Sequence, residues 1–216
     1  MQTINIIHRF DGPYQDWQIC NVDETPIWLD MTPDHTLDFK GSKEVSLKCT
    51  TKFKVRATLV LGVFANGAKL TPMLIFKEAS GKLPKKIEDA YDEKKIVLAG
   101  NRKGWMDGSL LQEWIQKVWR EAIEPDKYYL LIWDSFAPHK SENIVQCLQE
   151  TYDTEVVIIP GGCTSVVQPL DLGINKPMKD RLRSKFSGWM AEKTTNSLSE
   201  KKDVRGIFYF NLFFIF

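Results

Sequence analysis

Three acids in this 216-residue chain stand where structural elements are expected to meet. Asp23 closes "WQICNVD", Asp134 closes "YYLLIWD", and Asp171 sits inside "SVVQPLDLGINKPMKDRLR". Ligands of open α/β sheets gather at the carboxyl ends of strands, so Asp23 and Asp134 can both reach one crevice. From Asp134 to Asp171 is 37 positions, room for one helix, one strand and one loop. Three carboxylates from three elements can then converge. Such a cluster repels itself and raises its own pKa values unless cations enter it. Magnesium suits oxygen ligands, and two ions about 3.5–4 Å apart activate water and stabilise a leaving oxygen in phosphodiester cleavage. That chemistry needs acids and no special nucleophile, and the chain shows no Ser/His/Asp or Cys/His pattern.

Each residue also has a plainer reading. An Asp at a strand end is a common turn former. Asp171 equally suits an N-cap or a first-turn acid complementing the helix dipole. His139 reads as a capping or packing residue rather than a base. Five cations (Lys176, Lys179, Arg181, Arg183 and Lys185) face two acids (Asp171 and Asp180) in the basic stretch. Such a face is either simply solvated or suited to phosphate contacts. Spacing does not choose between these readings.

The elements that must carry the acids follow from periodicity. "WQICNVD" (17–23) predicts a short strand broken by "ETP", and "EVSLKCTT" (44–51) alternates as a half-buried strand. "KVRATLVLGVFANG" (54–67) and "AKLTPMLIFK" (68–77) form an antiparallel hairpin about an Asn-Gly turn. Residues 79–104 are Lys- and Gly-rich and read as an irregular surface excursion. "MDGSLLQEWIQKVWREAI" (106–123) is an amphipathic helix capped by Asp107 or Ser109. "KYYLLIWD" (127–134) and "EVVIIPGG" (155–162) are buried strands, separated by the helix "SENIVQCLQETY" (141–152). Ile174, Met178, Leu182, Phe186 and Trp189 then recur every three or four residues in a helix that starts before Pro177. Hairpins first and βαβ crossovers later predict an α/β fold, a mixed sheet flanked by helices.

Composition narrows the rest. Net charge is +1, so any polyanion surface has to come from local clustering. The four cysteines are scattered with no CxxC pair, and read as reduced thiols rather than a disulfide frame or zinc site. The start lacks signal-peptide order, and the apolar end "GIFYFNLFFIF" is too short to span a bilayer, so no membrane partner is expected.

The motifs taken together are more specific. "NVDETPIW", "GSKEV", "ANGAKLTPMLIFK", "NRKGWMD", "LLIWDSFAPHKSE" and "IIPGGCTSVVQPLDLGINKPMKDRLR" resemble, in order, the DDE superfamily endonuclease domain of pogo, Tigger and jerky transposases and their centromere-protein-B-like relatives. The resemblance covers about residues 17–195. It implies an RNase H-like fold and a cut-and-paste transposase with two catalytic Mg²⁺ (or Mn²⁺) ions. By that resemblance Asp23, Asp134 and Asp171 are the three metal-binding catalytic acids, and Lys176, Lys179, Arg181 and Arg183 contact nucleic acid. DNA is the implied partner and the nucleus the implied location, with a homodimer left open. Two departures stand out. Ser135 follows the second acid where many transposon members have Asn, and the 16 residues before the resemblance leave no room for the usual helix-turn-helix domains. Residues 1–16 therefore read as a poorly ordered remnant, and DNA binding as weak and non-specific. Residues 196–216 read as a divergent, aromatic-rich tail closing a truncated or misread frame. The competing function is a non-catalytic, domesticated DNA- or chromatin-binding protein.

Overall fold

β-branched and apolar runs make six strands, and the computed structural model describes them within residues 14–28, 40–41, 56–88 and 92–196. They are β1 (Ile19–Trp28), β2 (Arg56–Phe64), β3 (Met73–Lys77), β4 (Val97–Asn101), β5 (Tyr129–Asp134) and β6 (Thr154–Ile159). The sheet order is β4-β3-β2-β1-β5-β6, with β2 antiparallel to both neighbours and every other pairing parallel. This is the mixed α/β sheet expected.

Helices cover both faces. Helix α1 is the single turn Lys85–Glu88. Helix α2 starts at Gly108–Trp114, where the Asp107 carboxylate accepts from Leu110 N–H as N-cap, and it passes through a wide π turn (Ile115–Trp119) into Arg120–Ala122. Helix α3 is Glu142–Tyr152 and α4 the short Thr164–Val167. A second π turn, Leu170–Ile174, leads into α5, Asn175–Asn196. One core packs Trp114, Val118 and Trp119 of α2 and Leu148 of α3 against Val22, Leu131 and Trp133. The other packs Leu182, with Met178 at its edge, against Ile27, Ala57 and Leu59. Alternation along β1 therefore sends Asp23, Thr25 and Ile27 toward α5, and Val22 and Glu24 toward α2 and α3.

Two expectations are corrected. First, β1 does not stop at Asp23: it continues through "ETP" to Trp28, with Pro26 opposite Thr58 in β2. Pairing with β5 is confined to Ile19–Asn21, so beyond Asn21 one edge of β1 carries no ladder and a residue without an N–H is tolerated there. Second, the stretch read as a surface excursion holds β4, whose Val97, Leu98 and Ala99 are buried beside β3. Flanking lysines and glycines masked a five-residue run. The expected strand at 44–51, residues 1–13 and the tail from 197 lie outside the described residues. Among the described residues no helix is long and apolar enough to cross a membrane.

Candidate metal and nucleic-acid site

The β1–β5 register sets Asn21 beside Ile132. Asp23 and Asp134 stand two residues further along their strands, beyond the end of that ladder. Past Asn21 the two strands part, and the segment before α5 fills the opening. The fully buried Gln168 donates from Nε2 to Val22 O at 3.1 Å, and Leu170 N–H donates to Asn21 Oδ1 at 3.4 Å. This fixes the start of the last helix against the middle of β1.

Asp171 occupies the first turn of that helical segment, where the π turn closes with Asn175 N–H on Leu170 O. The N-cap position is Pro169, and Asp171 is a first-turn acid, as the plainer reading allowed. The buried Asn175 side chain donates from Nδ2 to both Asp171 Oδ1 (3.0 Å) and Asp23 Oδ2 (2.9 Å). With both acids ionised the amide must present Nδ2 to them, because carboxylates then only accept. Asp23 and Asp171 thus form one clamped pair. Burial, then the charge of Asp171, pushes the Asp23 carboxyl up to about 7, although the Asn175 bond opposes the shift.

Asp134 ends β5 on the neighbouring strand. Its Oδ1 accepts from Phe136 N–H at 3.0 Å, the turn-forming role the plainer reading allowed, and also faces His139 Nδ1 at 2.8 Å. The other ring nitrogen, Nε2, lies 3.1 Å from Glu24 Oε1. His139 is 1% exposed and stacks on Trp133, centroids 4.3 Å apart and 9° from parallel. Burial alone would depress the imidazole pKa, but the bonds to Asp134 and Glu24 outweigh it and push it up to about 9. The His139 bond in turn holds Asp134 below the usual carboxylate range.

Among the described residues two groupings could hold a cation. Glu24, Asp134 and His139 each offer a ligand atom, all within 4.8 Å of one another. Both His139 nitrogens already face carboxylates there, so the ring itself stands where a cation would. The Asp23–Asp171 pair has no cation hydrogen-bonded between its members: the bridge is the neutral Asn175 amide, and Lys179 only borders it. A divalent ion would remove the repulsion within this pair, so the acids fit such a group at Asp23 and Asp171, whereas Asp134 is grouped with Glu24 and His139.

The basic residues divide. Lys179 is partly buried, which lowers its pKa, and the charges of Asp171 and Asp23 offset part of that effect, so it borders the acid pair. Taking 100° per residue, Lys179, Arg183 and Lys176 lie about 40°, 80° and 100° round α5 from Asn175 on one flank. Arg181 lies about 120° round on the other flank, exposed. Arg183 also pairs with Asp180 at 3.1 Å. By the same rule Asp171 lies about 40° from Asn175 toward the Arg181 flank, so of the four expected nucleic-acid contacts only Lys179, which feels the charges of Asp171 and Asp23, is tied to the acids.

Sequence reasoning missed Asn175, Glu24 and Gln168, and took His139 for a cap or packing residue. Asn175 carried a signal, since it lies four positions after Asp171 and so on the same helix face. Glu24 carried none, because its partner is 115 positions away.

Residues 54–209 match the DDE superfamily endonuclease family. Asp134 and Asp171 fall inside that span and Asp23 precedes it. The chain is similar to the human "Pogo transposable element with KRAB domain", at 35% identity over 82% of this chain and 28% of that protein. It is also similar to the mouse "Tigger transposable element-derived protein 4", at 25% identity over 83% of this chain and 33% of that protein. The chain thus spans about a third or less of these curated relatives. Among solved structures, a Mos1 transposase paired-end complex with the left transposon end is similar at TM-score 0.52 and 14% identity, over 96% of this chain and 54% of that one. A Mos1 mariner paired-end complex with Mn gives TM-score 0.52 and 13% identity, over 99% and 56%. The fold is RNase H-like.

Proposed function

Since the chain belongs to the DDE superfamily endonuclease family, as a transposase-derived domain, we propose that it carries out metal-dependent cleavage and strand transfer of DNA phosphodiesters. Asp23, Asp134 and Asp171 are the metal ligands of this reading, with residues 17–195 as the catalytic domain. A DDE-type transposase fold implies divalent metal use, and Mg²⁺ or Mn²⁺ as two ions is the form proposed here. The observation that carries the reading is the Asp23–Asn175–Asp171 clamp. It holds two like charges together at a stability cost that a structural role does not require.

Bound ions would supply activation of water and charge stabilisation on the leaving oxygen. The chain's own residues do the positioning. Asn175 fixes the spacing of Asp23 and Asp171. Gln168 and Leu170 tie that pair to β1, so the third acid keeps its place although it comes from another element. Lys179, beside two acids, offsets their repulsion of DNA phosphates before a cation is present. A DNA partner implies a nuclear location, which microscopy of the tagged chain would check.

The test is nicking of supercoiled plasmid by the full chain in millimolar Mn²⁺, with Asp134→Asn and Asp171→Asn as controls. Metal-dependent nicks lost in both variants are expected. DNA binding without any nicking would instead favour the non-catalytic, chromatin-binding function.

A further inference from the structure

The metal reading uses Asp23, Asp134 and Asp171, and leaves unexplained a buried charged network on the opposite face of β1. His139 bridges Asp134 Oδ1 (2.8 Å) and Glu24 Oε1 (3.1 Å) while its ring lies flat on Trp133 and is met edge-on by Phe136 at 5.5 Å. These partners come from three places: β1, the end of β5, and the 3-10 turn Ala137–Lys140. A histidine that merely packed would need the aromatic contacts alone. One that merely satisfied a turn would need one carboxylate. Here both nitrogens are engaged and the ring has one orientation.

We infer that His139 is a positioning residue for Asp134, anchored in turn by Glu24: it occupies Oδ1 and so fixes which carboxylate edge Asp134 presents to the crevice shared with Asp23. The inference rests on the metal reading above and adds the assignment of roles. Glu24 and His139 are supports, not ligands, although their atoms are close enough to mimic a binding site. The geometry excludes a ligand role for the ring as it stands, because both nitrogens point at carboxylate oxygens. Partners that orient a metal's ligands typically alter its affinity by about 10–100-fold when removed.

Mn²⁺ titration of the full chain, followed by calorimetry and by electron paramagnetic resonance, provides the test. His139→Ala is expected to weaken Mn²⁺ binding by about tenfold or more, and Glu24→Gln, which keeps size and an acceptor, by a smaller factor. Glu121→Gln, on the exposed end of α2, should change nothing. Melting curves and near-ultraviolet circular dichroism in EDTA separate loss of fold from loss of positioning. If His139→Ala does not fold, Glu24→Gln decides, and an unchanged Mn²⁺ affinity in it overturns the inference. A folded His139→Ala that binds like the parent, while Asp134→Asn does not, overturns it as well. Nitrogen hyperfine coupling from His139 to bound Mn²⁺ would do the same, by making the ring a ligand. If Asp23→Asn and Asp134→Asn both bind normally, the metal reading itself is wrong and this inference goes with it.

Discussion

At Asp23 burial, then the neighbouring charge of Asp171 and less so that of Glu24, act in the same direction, and the hydrogen bonds from Asn175 and the Glu24 backbone oppose them. Without metal, an aspartate whose folded pKa is about 7 holds its proton after the unfolded chain has released it. Between about pH 4 and pH 7 the folded state thus binds more protons, and stability falls as pH rises. His139 adds a second window: its folded pKa of about 9 exceeds the ordinary value, so its contribution is complete below about pH 6.5 and is lost as pH rises through 9. In EDTA, melting temperature should decline across both windows. Asp23→Asn should flatten the acid-side decline and leave the alkaline one. Protons compete with the cation for Asp23, so millimolar Mn²⁺ should raise the melting temperature more at pH 7.5 than at pH 5. Equal Mn²⁺ shifts at both pH values would remove Asp23 from the ligand set.

Between elements, the site depends on how α5 docks. Leu182 is 4% exposed and packs among Ile27, Ala57 and Leu59, one helical turn beyond Met178. Leu182→Ala should cost about 2–5 kcal/mol by chemical denaturation, as for other buried leucines. Because the same helix presents Asp171 and Asn175, the variant should also lose Mn²⁺ affinity under conditions where it remains folded. Retained affinity would mean that Gln168 and Leu170 alone hold the acid in place. This docking is legible in the sequence, since Met178, Leu182 and Phe186 recur at helical spacing and two of them belong to the α5 core. What periodicity cannot show is the junction. The π turn at Leu170–Ile174 breaks the 3.6-residue repeat, and i, i+4 spacing pairs Asn175 with Asp171 but gives no sign of its reach to Asp23, 152 positions away. β1 outruns its expected end for a related reason: the Glu-Thr-Pro that follows Asp23 is breaker chemistry, and only an edge left unpaired by β5 lets a strand carry it. Where local signals agree with tertiary context, as at Asp107 capping α2, sequence and structure coincide.

Across the whole molecule, a net charge of +1 gives DNA little long-range attraction, so affinity must arise where cations cluster. The cluster is one-sided: Lys176, Lys179 and Arg183 share a flank of α5, and Lys179 senses both Asp23 and Asp171. A duplex laid along that flank would put its phosphates beside Lys179, the cation that borders the acid pair, with Arg181 on the other flank. Binding through phosphates alone is expected to be weak, indifferent to sequence and steeply dependent on salt. Lys176→Ala and Lys179→Ala should each reduce the slope of log K against log salt by roughly one unit, whereas Arg181→Ala should leave it within error. The contrast also separates an oriented site from a generally basic helix, which would lose the same increment at every cation. Fluorescence anisotropy with a labelled duplex at about 50–200 mM salt measures the slopes. A loss at Arg181 equal to that at Lys179 would place the DNA elsewhere on the helix and detach it from the three acids.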